Sequence, residues 1–108
     1  MSKRGGFPGG GGNMGAMMKQ AQKMQAELAR AQEEIKDMTF EATAGGGMVK
    51  VVANGDMTVD SIVIDPEAVD PEDVEMLQDM VAAAVNEALR GVSEISSQRL
   101  NAATGGLN

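Results

Sequence analysis

Near the start of the chain the apolar residues Met14, Met17, Ala21, Met24, Leu28, Ala31, Ile35 and Met38 follow one another at alternating intervals of three and four. This unbroken a/d heptad series predicts a helix from about Met14 to Asp37. Ala, Gln, Glu, Lys and Met dominate the segment, and all are good helix formers. A seam this long needs a partner helix, either the second helix of the same chain or the same helix of another copy.

What lies outside the seam limits the chemistry. The 108 residues include no His, Cys, Trp or Tyr, and only two Phe, Phe7 and Phe40. No Ser-His or Cys-His nucleophile, thiolate zinc site, imidazole ligand or disulfide can be built from them. No cofactor or metal is expected, and enzyme readings are left with carboxylates, Lys and hydroxyls. Lys3 and Arg4 precede glycines around Phe7 and Pro8 with no apolar h-region, so the start does not read as a signal peptide. No segment approaches the ~18 continuous apolar residues of a membrane span. A soluble cytoplasmic protein with no membrane partner and no small-molecule substrate is the expectation.

Charge divides the chain in two. The formal net charge is -7, yet residues 1–36 hold six basic and three acidic side chains and the remainder holds three basic and thirteen acidic ones. A basic end of +3 is attached to an acidic body of -10, an asymmetry that points to an anionic partner for one part.

Three regions follow. Residues 1–13 read as a disordered Gly-rich tail, residues 14–103 as one α+β domain and residues 104–108 as a flexible C-terminus. After the first helix, Thr39–Ala44 and Met48–Ala53 alternate as strands on either side of Gly45-Gly46-Gly47, and Asn54-Gly55 predicts a type I′ hairpin turn into a third strand, Met57–Ile64. Three short strands in succession imply an antiparallel meander with open edges. Asp70 is the expected N-cap of the second helix, with Pro71 at N1 and Glu72 and Asp73 complementing the dipole. Val74, Leu77, Val81, Ala84, Val85, Ala88, Leu89, Val92 and Ile95 give that helix a broad apolar face running to about Asn101.

The candidate sites have bland counterparts. Lys19, Lys23 and Arg30 occupy f, c and c heptad positions, an outer strip that Lys3 and Arg4 could extend, and such a strip can meet phosphates. The commoner condition of such charges is a solvated face, with Lys23 and Arg30 paired to Glu27 and Glu34 at i+4. The carboxylates between Asp65 and Asp79 lack the spacing and the Gly of a calcium loop, and helix capping accounts for them better than a metal or acid/base site. The glycine runs lack the Lys-Ser/Thr of a phosphate-binding loop. The methionines could form an adaptable docking surface, but at a/d spacing they are more often core.

Three segments, MKQAQKMQAELARAQEEI, GGGMVKVVANG and SIVIDPEAVDPEDVEMLQDMVAAAVNEAL, together resemble the YbaB/EbfC family of bacterial nucleoid-associated proteins. The closing TGGL also looks like the family's C-terminus, and the resemblance runs from about Met14 to Leu107. It implies an intertwined homodimer of helix-strand-strand-strand-helix subunits whose long helices project as paired arms. It also implies binding to double-stranded DNA with low sequence specificity, altering DNA conformation, nucleoid organisation and gene expression in the bacterial cytoplasm. Where relatives carry a Lys-rich stretch late in the second helix, this chain reads RGVSEISSQRL and keeps only Arg90 and Arg99. The expected DNA contacts are therefore Lys3, Arg4, Lys19, Lys23 and Arg30, with Arg90 and Arg99 assisting. The expected dimer interface is Met17, Met24, Leu28, Ile35, Val49 and Val51. The alternative is a dimeric scaffold whose Met-rich helices grip another protein.

Overall fold

A computed structural model describes the backbone of residues 7–105 and the side chains of residues 14–105. The order of elements is helix α1 (Phe7–Lys36), strands β1 (Thr39–Ala44), β2 (Val49–Asn54) and β3 (Val59–Ile64), a single 3-10 turn at Pro66–Ala68, and helix α2 (Val74–Ala103). The fold is α+β, and its sheet is an antiparallel meander in the order β1-β2-β3. Helix α1 starts at Phe7, seven residues before the heptad series, so Gly-rich sequence continues its backbone. Once a helix is nucleated each added residue needs only propagation, and Pro8 sits in the first turn, where a missing N–H costs nothing.

The core lies between one face of the sheet and one stripe of α2. Ala84, Ala88 and Val92, at i, i+4 and i+8, bury against Ala42, Val49, Val51 and Ala53. Small side chains let the helix sit close to the sheet, and the largest fully buried residues are only Val49, Val51 and Val92. Helix α2 packs on β1 and β2. A helix about 10 Å across covers two strands spaced about 4.8 Å apart, and of the third strand Ile64 packs against the core while the rest stays exposed.

The first hairpin turns where its glycines indicate and the second does not. Between β1 and β2, Gly47 N–H donates to the Ala44 carbonyl across Gly45 and Gly46, whose φ values of 64° and 69° meet the requirement of a type I′ turn. At Asn54-Gly55 no such turn forms. There Met57 N–H donates to the Asn54 carbonyl at 2.9 Å, and Met57 itself takes the left-handed conformation at φ 65°. A turn followed by a left-handed residue, with a register shift just beyond it between Val52 and Ala53, replaces the expected type I′ hairpin. Gly55 serves close approach instead. Its N–H donates to the Met38 carbonyl at 3.0 Å, and any Cβ would strike the Ile35 carbonyl. The second hairpin is thus pinned against the end of α1.

The start of α2 also differs from expectation. Its N-cap is Asp73, whose carboxylate accepts from Met76 N–H at 3.2 Å, while Asp70 closes a separate turn by accepting from Glu72 N–H at 2.9 Å. Asp73 immediately precedes Val74, the first apolar-periodic residue, and that adjacency outweighs the Asp70-Pro71 signal. Asp65 caps the 3-10 turn in the same way, accepting from Glu67 N–H.

Candidate functional site

Helix α1 divides its seam between the subunit and the outside. Glu34 opposes Arg99, while Gln20, Lys23, Met24 and Glu27 share a groove with Ala102–Gly105. Residue numbers fall along α1 as they rise along α2, so the two helices run antiparallel here. Ala31 and Ile35 are buried at the inner end of the seam. Exposure then climbs outward, through Met24 at 40% to Met17 at 66%. Helix α2 ends at Ala103, beside this groove, so the part of α1 before Gln20 extends past it as an arm about 20 Å long. Principal extents of 88 × 20 × 16 Å express the same geometry.

The basic residues are not equivalent. Lys19 and Lys23 are exposed, and among the described residues neither forms an ion pair. Arg30 pairs back to Glu27 at 3.8 Å and Arg90 pairs with Glu87, each within its own helix. The expected Arg30–Glu34 pair does not form, because Glu34 is taken across the helix interface by Arg99 at 2.6 Å. The guanidinium hydrogen bond and charge of Arg99 lower the Glu34 pKa against the opposing effect of desolvation, and Glu34 raises that of Arg99 in return. Arg99 is thereby engaged between the two helices, and its side chain is 23% exposed. Lys3 and Arg4 lie outside the described residues.

The apolar residues expected at a dimer interface are also sorted. Val49 and Val51 are fully enclosed within the subunit's own core, and Ile35 is nearly so. Met17, Met24 and Leu28 remain on the surface or partly so. The sheet instead exposes β3. Ile62 pairs with Val51 and Val59 with Ala53, so both share the core-facing side, yet they are 44% and 37% exposed. Sequence reasoning missed them, although three strands set against one covering helix was the available signal.

A family model described as the YbaB/EbfC DNA-binding family matches residues 10–107. The chain belongs to that family. It is 57% identical over 104 residues to a nucleoid-associated protein of Acetivibrio thermocellus, covering 96% of this chain and 92% of the other. It is 61% identical over 97 residues to one from Pelotomaculum thermopropionicum, covering 90% and 92%. A crystal structure of an uncharacterized protein from Helicobacter pylori matches with a TM-score of 0.58 and 31% identity, covering 69% of this chain and 87% of that one. The YbaB/EbfC match spans Lys19 and Lys23, the whole sheet and α2. Within it the Asp-Pro steps at Asp65 and Asp70 are turn devices whose carboxylate oxygens accept backbone N–H groups. Among the described residues no helix is long and apolar enough to cross a membrane.

Proposed function

We propose that the protein is a non-catalytic, nucleoid-associated protein that holds double-stranded DNA as a homodimer, with low sequence specificity, through the projecting part of α1. The observation that carries this reading is the pair of unpartnered lysines, Lys19 and Lys23, on a helix that runs past the end of α2. They are one helical turn apart, and Arg30 follows two turns later on the same side. Arg30 and Arg90 are held only by exposed pairs within one helix, which cost little to exchange for a phosphate. Lys3 and Arg4 would lengthen the strip.

Phosphate contacts fix position without reading sequence, so such a strip favours affinity without strong preference. The acidic body repels the duplex and confines it to the arms. A second copy doubles the number of cations, and the uncovered side of β3 with its open edge gives that copy an apolar surface to meet. Held between two arms in the bacterial cytoplasm, DNA would change its conformation, and nucleoid organisation and gene expression with it.

A salt-titrated gel shift on several unrelated duplexes tests the reading. If about four to six phosphates are neutralised, log K falls with log salt at a slope of roughly -4 to -5. No retardation at low salt, or retardation indifferent to salt, would overturn it. The second reading, a scaffold that grips protein helices, draws on Met14, Met17 and Met18, each more than 60% exposed. Neutralising Lys19, Lys23 and Arg30 together separates the two, since it abolishes DNA retention and leaves docking of a helix largely intact.

A further inference from the structure

We propose that the Glu34–Arg99 pair is a brace that sets the direction of the α1 arm, and that Arg99 serves DNA binding as a positioning residue, not as a phosphate contact; this rests on the reading of α1 as the DNA-holding arm. Among the described residues it is the one side-chain hydrogen bond or ion pair that joins α1 to α2. Every other ion pair among them lies three residues apart within a single helix and fixes no angle between elements.

The location of the pair gives it leverage. Near it α1 buries Ala31 and Ile35 and its end is tied to the second hairpin by the Gly55 N–H to Met38 carbonyl bond, and farther out the seam becomes exposed. Glu34 lies about 22 Å along the helix from Lys19, so a swing of about 10° moves that lysine by roughly 4 Å. Displacements of that size separate an ammonium group from a phosphate oxygen, because hydrogen-bond distances span only about 2.7–3.2 Å. A partly exposed ion pair adds little to stability, but one that joins two helices at the root of a lever restricts where the far end points.

Two opposite changes of charge test the brace. Glu34→Gln removes a negative charge and frees Arg99, whereas Arg99→Gln removes a positive charge. If Arg99 touched phosphate, the first would tighten DNA binding and the second weaken it. If the pair is a brace, both weaken it, by about two- to five-fold, and the exchanged double variant E34R/R99E recovers binding.

The arm is read directly by spin labels at Ala16→Cys and Thr43→Cys, both exposed positions in a chain with no native Cys, with labelled protein diluted into unlabelled protein so that distances within one subunit dominate. Without DNA, the distance distribution should broaden in each single variant and narrow again in the exchanged pair. Distributions unchanged by either single variant, or tighter DNA binding by Glu34→Gln, would overturn the brace. Wild-type protein that fails to retain DNA at any salt would remove the DNA-holding reading, while the label distances would still decide the brace.

Discussion

Gly91 of α2 lies directly against the ring of Phe40 on β1, with no room for a Cβ between them. The aromatic ring fills the gap that a core of Ala and Val would otherwise leave at this end of the sheet. Gly91→Ala gains about 1 kcal/mol of helix propensity in principle. Overpacking a well-filled contact costs about 1–3 kcal/mol and wins here, because the obstruction is a ring flanked by strand backbone. Denaturant unfolding should show a net loss of up to about 2 kcal/mol for Gly91→Ala, and Phe40→Leu placed in the same chain should recover much of it.

At the second hairpin the left-handed conformation falls on Met57, not on a glycine. A non-glycine residue is disfavoured there by about 1–2 kcal/mol, and glycine gives back part of that gain through its greater unfolded-state freedom. Met57 is half exposed, so truncation sacrifices little packing. Met57→Gly is expected to raise stability by about 0.5–1 kcal/mol. Gly55→Ala, in the same turn but pressed on Ile35, is expected to lower it. Opposite signs at two residues of one turn would be read from paired thermal melts.

The two hairpins also show where sequence is a good guide and where it fails. Strand existence and pairing were legible from alternation and glycine punctuation, and the register places Val49, Val51 and Ala53 on one face as their spacing requires. Asn54-Gly55 misled because glycine has two physical uses, positive φ and close approach, and the local sequence does not distinguish them. The near approach that claims Gly55 comes from α1, about twenty residues upstream. The cation strip was legible from heptad position, but the capture of Arg99 by Glu34 depends on residues 65 positions apart and has no local signature.

Acid should loosen the joint between α1 and α2. Glu34 has a pKa held below the ordinary carboxylate value chiefly by its hydrogen bond to Arg99, with Arg30 adding a smaller attraction. A carboxylate depressed in the folded state contributes stability that is present above its unfolded pKa and is lost as pH falls through the folded value. The contribution is therefore complete at neutral pH and fades in the acid range below about 4.3. Near-neutral pH should leave the arm unmoved, and Glu34→Gln should flatten this part of the acid limb when the distance between arm and sheet is followed against pH.

Ile62 tests the assembly. It sits on the core-facing side of β3 yet is 44% exposed, so Ile62→Asp should lower the stability of the subunit by about 1–2 kcal/mol, less than a fully buried site would lose. A charge there would be desolvated on association and left without a partner. Light scattering at micromolar concentration is expected to give the dimer mass for the wild type and the monomer mass for Ile62→Asp. Dimer mass for both would place the interface elsewhere, and monomer mass for both would overturn the dimer.

Lysine position, and not total charge, should govern DNA retention. Lys19 lies on the arm and Lys23 at its root beside the end of α2, whereas Lys50 lies on the face of β2 that points away from α2, beside Thr43 and Val63. Replacing any one of them by Gln shifts the net charge by the same amount. If the duplex is held by the arms and kept off the acidic body, Lys19→Gln and Lys23→Gln should each reduce the steepness of the salt dependence by about 0.9 for every phosphate that the substitution leaves without its cation. In a dimer each substitution removes two such cations. Lys50→Gln should leave the slope unchanged, with at most a small uniform decrease in affinity from the long-range field, which salt screens over about 10 Å. A slope that falls equally for Lys50→Gln would mean that net charge alone attracts the DNA and that the arm has no special part in holding it.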